Sequence, residues 1–263
     1  MNTVSRDPGT GNHETKTNDK AMHNLTNLQQ QTFKQSSALD RYRCIAVGRQ
    51  GNTALLLYEL VNTFILPLPG ATGRWARRLF LPLLCRSIGR KATVGRDCTI
   101  RNPAVIEIGD AAVIGDQVCL DAKPDADRLV IGAGVIIGAG TICNCAGAAL
   151  EIGENTRIGP AGRLGSKLGL RIGRNCRLER EVCCSGAAHA FDRRDLPIVL
   201  QPVTCKGPTI IGDNVIIGER TTVLDGVRIG DNVRIGADSL VLGDIPANAS
   251  ASGVPVRIEQ GGN

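Results

Sequence analysis

One histidine stands apart from the rest of the sequence. The chain has three histidines: His13 and His23 lie in a polar N-terminal segment, whereas His189 lies in a long insertion between two repetitive segments. An imidazole can remove a proton from an attacking hydroxyl or amine, and general-base catalysis typically contributes about 10²–10⁴-fold. Asp192, three residues further on, could orient the ring or bind a substrate hydroxyl, although a turn residue is an equally good interpretation. His189 is therefore the first candidate catalytic residue and Asp192 the second.

The segments around this insertion are built from six-residue repeats. Between residues 209 and 245 an aliphatic residue returns every six positions, as Ile211, Ile217, Val223, Ile229, Ile235 and Val241. A period of six fits neither a helical face nor an alternating strand. It is typical of a parallel β-coil with three short strands and eighteen residues per turn. We therefore expect aliphatic side chains to stack between coils, and Asn214 to pair with Asn232 at a corner.

The same six-residue period continues upstream of residue 209, but each coil there is longer than eighteen residues. Ile88, Ile108, Ile131, Ile152 and Ile172 each precede a glycine, at spacings of 20, 23, 21 and 20 residues. Short insertions at the corners are tolerated because such loops stay on the surface. The sequence thus predicts about seven or eight coils.

The hexads stop after Leu178 and resume at Ile211. Loops this long are usually functional. Beyond residue 88 the insertion holds the only histidine, His189, and the only aromatic residue, Phe191. A narrow β-coil has no packing use for either side chain, so residues 183–210 are predicted to form the catalytic loop.

The repeats and the insertion resemble those of the hexapeptide-repeat acyltransferases. For residues 88–258 this resemblance implies an all-β fold, a left-handed parallel β-helix. The loop resembles the His-x-Phe-Asp loop of the sugar O-acetyltransferases of bacterial surface-polysaccharide pathways, in which the matching histidine is the catalytic base. The residues that carry this likeness are His189-Ala190-Phe191-Asp192, Asp195-Leu196-Pro197-Ile198 and Gln201. It implies acetyl transfer from acetyl-CoA to a hydroxyl of a sugar or sugar-derived intermediate in exopolysaccharide or lipopolysaccharide biosynthesis, by direct attack in a ternary complex.

The same resemblance suggests residues that bind CoA. Gly218 matches a position where the backbone approaches the thioester, and Ala237 matches one whose backbone N–H meets the pantetheine. Arg257, in the C-terminal turn, matches a basic residue that approaches the CoA phosphates. Ordinary β-helix geometry is the alternative explanation for all three residues, and it is strongest for the glycine and the alanine. The family also implies a homotrimer with its active sites between neighbouring subunits.

Two departures from the family pattern keep a second class of function open. Ile216 stands where the family often has tryptophan, and Ala187 and Ala188 stand where it often has Gly-Asp. They favour a non-catalytic trimeric β-helix assembly protein or a pseudoenzyme, whereas the intact His189 loop favours an enzyme. A nucleophile at Cys183 or Cys184 is a further alternative, but direct attack in a ternary complex needs none.

The composition of the chain indicates which cofactors, cellular compartment and partners to expect. The ten cysteines include no CxxC pair with metal-ligand spacing, and the N-terminus lacks an apolar signal segment. We therefore expect reduced, mostly buried cysteines in a cytoplasmic protein without a metal, with Cys98, Cys143 and Cys176 at inward positions. The net charge of +6 comes from a basic N-terminal stretch without stacking aromatics around it, so nucleic acid is not an expected partner.

The N-terminal part differs from the repeats. Residues 1–50 are polar and are predicted to be disordered. Residues 51–87 are apolar and basic and predict two short helices broken at Pro67 and Pro69, neither long enough to span a bilayer. They would cap the open first coil, either as a cap alone or as a cap that also contacts the anionic inner face of the cytoplasmic membrane. Residues 259–263 form a tail.

Overall fold

Short strands and tight corners dominate the chain. The computed structural model describes residues 37–259, so the disorder predicted for residues 1–36 and most of the predicted tail lie outside the described residues. Strands at equivalent positions of successive coils pair in parallel and build three sheets of seven, nine and seven strands, the last strand of the second sheet excepted. The fold is the predicted left-handed parallel β-helix, with about seven coils.

The strands are numbered in chain order. The first sheet contains β1 (Ser87–Ile88), β4 (Ile106–Ile108), β7 (Leu129–Ile131), β10 (Leu150–Ile152), β13 (Leu170–Ile172), β18 (Thr209–Ile211) and β21 (Arg228–Ile229). The second contains β2 (Thr93–Val94), β5 (Val113–Ile114), β8 (Ile136–Ile137), β11 (Arg157–Ile158), β14 (Arg177–Leu178), β19 (Ile216–Ile217), β22 (Arg234–Ile235), β24 (Ser250–Ser252) and β25 (Arg257–Glu259). The third contains β3 (Thr99–Arg101), β6 (Cys119–Ala122), β9 (Ile142–Cys145), β12 (Arg163–Ser166), β15 (Cys183–Cys184), β20 (Thr222–Val223) and β23 (Leu240–Val241). A separate hairpin consists of β16 (Ala188–His189) and β17 (Val203–Thr204).

The pairing register confirms the coil lengths predicted from the hexads. The eighteen-residue coils pair Ile211 with Ile229, Ile217 with Ile235 and Val223 with Val241. The longer upstream coils pair Ile88 with Ile108, Ile108 with Ile131, Ile131 with Ile152 and Ile152 with Ile172. Apart from the half-buried Ile88, these side chains are at most 2% exposed, so the aliphatic columns form the core.

Asparagines at one corner form a ladder of amide hydrogen bonds. Asn214 Nδ2 donates to Asn232 Oδ1 at 2.8 Å, and Asn232 Nδ2 donates to Asn248 Oδ1 at 3.0 Å. Their φ angles are 57°, 57° and 62°, in the left-handed region that asparagine tolerates better than most residues. The predicted pairing is confirmed and extends one coil further than predicted.

The inward cysteines behave as small apolar residues. All ten cysteines are free, and Cys98, Cys143 and Cys176 are 4%, 0% and 2% exposed, as predicted. Burial raises the pKa of the Cys98 thiol to about 11 and that of Cys143 to about 12. These thiols therefore stay protonated and unreactive at neutral pH.

Within the described residues, three helices precede the coils. They are α1 (Ala38–Tyr42), α2 (Asn52–Leu60) and α3 (Gly70–Leu84); π-helical turns follow at Arg43–Val47 and Val61–Ile65, and 3₁₀ turns lie at Pro103–Val105 and Ile198–Leu200. The helices on either side of Pro67 and Pro69 agree with the prediction. Helical residues 38–47 correct the prediction of disorder up to residue 50. The physical reason is tertiary: Ala46 is 6% exposed, and its carbonyl accepts a hydrogen bond from Asn102 N at 2.7 Å.

Two polar side chains anchor the helices to the first coil. Tyr58, 4% exposed, donates from its hydroxyl to Ile100 O at 2.8 Å. Arg77, 2% exposed, donates to Val94 O at 2.9 Å and to the carbonyls of Leu66 and Leu68 at 3.1 and 2.7 Å. Arg77 is therefore a buried anchor within the basic segment 51–87. No helix in the described part of the chain is long and apolar enough to cross a membrane.

The chain divides into two compact units. The coils and helices form one unit, residues 37–187 and 205–259 of the described range, and the described part of the other is the insertion segment 188–204. At the end of the coils, β25 pairs with β24 in the antiparallel sense, unlike all other strands of that sheet.

Candidate active site

The insertion forms a small hairpin that carries His189. Strands β16 and β17 pair antiparallel and bring His189 opposite Val203. Thr204 Oγ1 donates to Ala188 O at 3.1 Å, which closes the hairpin beside the histidine. The backbone at His189 is therefore part of a paired strand and does not lie in an open loop.

A backbone carbonyl fixes the protonation pattern of the neutral His189 ring. His189 Nδ1 lies 2.8 Å from Gln201 O. A carbonyl oxygen can only accept, so Nδ1 must carry the proton of this hydrogen bond. The neutral ring then has its lone pair on Nε2, the atom that can accept a proton from a substrate.

The side chain of Gln201 ties the insertion together. Its Nε2 donates to Arg193 O at 2.7 Å and to Leu196 O at 3.1 Å, and its Oε1 accepts from Arg193 N at 3.3 Å. Gln201 is only 2% exposed, so these bonds satisfy polar atoms that water does not reach. Sequence reasoning included Gln201 only in the loop resemblance and assigned it no role, because a single side chain that binds scattered backbone groups leaves no periodic signal.

Asp192 does not orient the histidine ring in this structure. Its side chain is exposed, and within residues 37–259 it forms no hydrogen bond with His189. The carbonyl of Gln201 takes the orienting position instead. Asp195 pairs with Arg193, whose hydrogen bond lowers the pKa of the Asp195 carboxyl, so the two charges neutralise each other in the loop. A substrate-binding role for Asp192 stays a prediction.

The structure disfavours both cysteines as nucleophiles. Cys184 is 1% exposed and lies in a core column between Leu164 and Val223. Burial raises the pKa of Cys184 to about 12 and also raises that of Cys183. Since the thiolate is the nucleophilic form, neither residue is poised to attack at neutral pH.

The three residues predicted to bind CoA lie in one row. Gly218 follows β19, Ala237 lies two residues after β22, and Arg257 begins β25. These strands follow one another in the second sheet in the order β19, β22, β24, β25, and the register sets Arg257 opposite Ser252. With strands about 4.8 Å apart, the row spans about 14 Å.

The backbone surroundings of Gly218 and Ala237 support different roles for the two residues. A Cβ at Gly218 would lie 2.4 Å from Ala237 N, and the corner glycines Gly173 and Gly212 meet the next coil just as closely. Coil stacking alone therefore accounts for Gly218. Ala237 is exposed, and its N–H donates to no other group in the part of the chain that the structure describes. This N–H is available to a ligand.

Arg257 and Arg234 bring positive charge to the C-terminal end of the row, where the carboxylate of Glu259 also accepts a hydrogen bond from Ser252 Oγ at 2.7 Å. Arg257 and Arg234 are both exposed and form no ion pair among residues 37–259, whereas Arg220 pairs with Asp238 at 2.7 Å. The two unpaired cations could bind an anionic group. The same described range contains no group of three histidine, cysteine or acidic residues that could hold a metal ion.

A family model matches the most regular coils. Residues 208–243 match the bacterial transferase hexapeptide model, which describes six repeats. This match and the seven stacked coils confirm the predicted resemblance of the coils to the hexapeptide-repeat family.

Curated relatives match over a short segment. The chain is 38% identical over 60 residues to a 2,3,4,5-tetrahydropyridine-2,6-dicarboxylate N-acetyltransferase of Clostridium perfringens, covering 23% of this chain and 25% of the relative. It is 45% identical over 60 residues to the protein of the same name from Alkaliphilus metalliredigens, with the same coverage. The chain thus spans about a quarter of the length of the curated relatives it matches.

Solved structures are similar at a more distant level. A mutant of AntD, an N-acyltransferase from Bacillus cereus in complex with dTDP and coenzyme A, is 23% identical with a TM-score of 0.49, covering 70% of this chain and 88% of that chain. A maltose O-acetyltransferase from Clostridium difficile 630 is 22% identical with a TM-score of 0.38, covering 78% and 84%. Similarity at this level carries no information about chemistry.

Proposed function

We propose that the protein is an acyltransferase that moves the acetyl group of acetyl-CoA to a hydroxyl of a sugar or sugar-derived intermediate of a bacterial surface polysaccharide. The observation that carries the proposal is the 2.8 Å contact between His189 Nδ1 and Gln201 O. It gives the neutral ring a basic Nε2, on the only histidine that the structure describes.

His189 acts as the general base in a ternary complex. The acceptor oxygen attacks the thioester carbonyl carbon while its proton moves to His189 Nε2. The tetrahedral intermediate then collapses, the C–S bond breaks, and the CoA thiolate takes the proton back from the imidazolium. A backbone N–H near the thioester would stabilise the oxyanion. Asp192, exposed in the same insertion, binds a hydroxyl of the acceptor.

The donor lies along the row from Gly218 to Arg257. The unpaired N–H of Ala237 donates to the pantetheine arm, and the exposed guanidinium of Arg257 binds CoA phosphate. Gly218 lets the thioester approach the backbone. We infer that the protein is a homotrimer, because one exposed sheet face is too flat to enclose such an arm. The reaction takes place in the cytoplasm, where acetyl-CoA is made.

The decisive experiment measures acetyl transfer from acetyl-CoA to a panel of nucleotide sugars and polyprenyl-linked sugars, with mass detection of the products. His189→Ala should lower turnover by about 10²–10⁴-fold, because a general base is lost. Light scattering should still show a trimer, and the affinity for CoA should be unchanged. His23→Ala is the matched control and should keep wild-type turnover. Near-full turnover in His189→Ala with a genuine acceptor would overturn the assignment.

A second variant tests the donor site. Arg257→Ala should weaken CoA binding by about 1.5–3 kcal/mol, as expected for a lost charge-assisted hydrogen bond, and should spare turnover at saturating acetyl-CoA. Arg163→Ala, an exposed arginine on the third sheet, should leave CoA affinity unchanged. Equal effects of the two substitutions would remove Arg257 from the site.

Two other functions stay open to the same assay. An amine acceptor is supported by the names of the curated relatives, which are N-acetyltransferases. Mild hydroxylamine separates the cases, because it cleaves an acetyl ester and leaves an acetamide. A non-catalytic assembly role is favoured by Ile216 in place of the family tryptophan. It would be supported by a stable trimer that transfers acetyl to no acceptor.

A further inference from the structure

Two N-terminal helices each expose an apolar stripe. Along α2 and the π-helical turn that follows it, Leu56, Leu60 and Phe64 are 70%, 39% and 66% exposed. Along α3, Trp75, Leu79 and Leu83 are 68%, 53% and 53% exposed. Residues spaced by four lie on the same side of a helix. These six side chains are called the outer apolar surface below.

The outer apolar surface faces away from the coils. The opposite side of α2 is anchored by Tyr58, whose hydroxyl reaches Ile100 O on β3, and that of α3 by Arg77, which reaches Val94 O on β2. Leu81 and Leu84 are buried at 1% and 5% exposure. Each helix therefore has one side buried on the first coil, and its exposed stripe is left without a partner within residues 37–259.

Unpaired positive charge lies beside this surface. Arg74 and Arg78 flank Trp75 on α3, are exposed and form no ion pair in the described chain. No acidic residue occurs between residues 60 and 96. Arg86 and Arg96, by contrast, pair with Glu107 and Asp116 at 3.2 and 3.6 Å.

The charge pattern selects the partner. Large exposed apolar patches mark interaction sites. A second copy of this surface would bring two positively charged patches together without a carboxylate between them, because a two-fold pairing uses the same patch twice. An anionic lipid surface supplies both an acyl boundary for the apolar side chains and negative charge for the guanidinium groups. α3, at 15 residues, is too short to cross the bilayer and suits a position in its interface.

We propose that α2 and α3 dock the protein on the surface of an anionic bilayer, with the outer apolar surface at the boundary of headgroups and acyl chains and with Arg74 and Arg78 at the lipid phosphates. The docking surface does not include His189, so the docking proposal can be tested independently of the proposed acetyl transfer. Together the two would hold the enzyme beside a membrane-borne, lipid-linked acceptor.

Trp75 provides a direct probe, because it is the only tryptophan of the chain. The full chain should show a blue-shifted tryptophan emission when mixed with vesicles of phosphatidylcholine and phosphatidylglycerol, and should sediment with them. Vesicles of phosphatidylcholine alone should produce much weaker binding. Raising the salt concentration should release the protein, since surface charge contacts are screened.

Matched variants separate charge from apolar contact. Arg74→Gln with Arg78→Gln should weaken binding to the anionic vesicles about 30-fold, from about five- to sixfold for each basic contact. Phe64→Ser with Leu79→Ser should remove most of the binding and the shift of Trp75 emission. The controls are Arg163→Gln and Leu242→Ser, exposed residues of the coils, which should bind like wild type. Circular dichroism and melting temperature should match wild type in every variant.

Three results would overturn the proposal. One is the absence of both sedimentation and emission shift with anionic vesicles at low salt. A second is equal affinity for neutral and anionic vesicles, or unchanged affinity in the arginine variant. A third is a shift of Trp75 emission that grows with protein concentration without lipid, which would assign the surface to a second copy of the chain. Because acetyl transfer is also measured with the nucleotide sugars of the panel and without vesicles, none of these results bears on His189.

Discussion

The coils and the insertion hold their side chains in place by opposite means. In the coils every position repeats, so Ile217 lies between Leu178 and Ile235 and shares its packing with a whole column. In the insertion nothing repeats, and the ring of His189 rests on a single carbonyl of Gln201. Substitutions in the coils should therefore lower stability, whereas substitutions in the insertion should lower activity with little effect on stability.

The largest effect should come from the core of the coils. Ile217→Ala removes a side chain that is 0% exposed and should cost about 2–5 kcal/mol of unfolding free energy in urea titrations. Ile216→Ala, on the same strand but on the outer face and 40% exposed, is the control and should change stability by about 0.5 kcal/mol or less. Similar losses for both would mean that the columns are not the stabilising core.

The corresponding change in the insertion is Gln201→Leu. It removes the side-chain bonds to Arg193 and Leu196 while keeping the backbone carbonyl that faces His189. We expect kcat to fall by about 10–10²-fold, because the base loses its fixed orientation. The KM for acetyl-CoA and the melting temperature should hardly change.

A spectroscopic measurement identifies Gln201 as a positioning residue. ¹⁵N NMR of the neutral His189 ring should show the Nδ1–H form in the wild type and a mixture of tautomers in Gln201→Leu. A lower melting temperature with unchanged kcat and tautomer would instead make Gln201 a purely structural residue, and the comparison between coils and insertion would fail.

The corner ladder should show an intermediate effect. Asn232→Ala breaks amide bonds to Asn214 and Asn248 and puts alanine at a φ of 57°. The expected loss is about 1–2 kcal/mol. Asn232→Gly removes the same amide but tolerates the backbone, so it should lose less. If alanine and glycine are equally destabilising, backbone strain is not what asparagine relieves at this corner.

The smallest effect belongs to an exposed ion pair of the coils. The hydrogen bond from Arg220 lowers the pKa of Asp238 below its usual range. A lowered carboxyl pKa stabilises the fold above the unfolded-state pKa, and the contribution is lost as the pH falls through the folded-state pKa. The melting temperature of Arg220→Gln should therefore be slightly below that of the wild type at pH 7 and equal to it in strong acid. In an NMR titration, Asp238 should return toward an ordinary pKa in this variant.

The sequence predicts most of the coils because their signal is periodic. The spacing of Ile88, Ile108, Ile131 and Ile152 gives the register of the first sheet, including the irregular corner lengths, since an aliphatic residue returns at the same inward position of each of these coils. Gly218 and Ala237 fall on neighbouring coils for the same reason, whereas Arg257 joins their row through the antiparallel strand β25, which has no hexad signal. What their row binds stays a prediction.

The parts that sequence reasoning missed depend on contacts between distant residues. The burial of Arg77 could not be predicted, because its partners are the carbonyls of Val94, Leu66 and Leu68, which carry no side-chain signal. Helical residues 38–47 were missed because they follow a long polar stretch, although they are largely apolar themselves, and they are held by contacts such as Ala46 O with Asn102 N. The role of Gln201 is hidden in the same way, as its partners are backbone atoms of the insertion.

The reversal of β25 has a consequence for how the coil grows. The strand edges of each coil can pair with another coil of the same kind, so the coils themselves do not limit how many can stack. Pairing Ser252 with Arg257 in the opposite sense occupies the edge of β24 with a strand that cannot continue the winding. Removing residues 254–259 would uncover that edge, and molecules could then add end to end into fibres, as unpaired strand edges do.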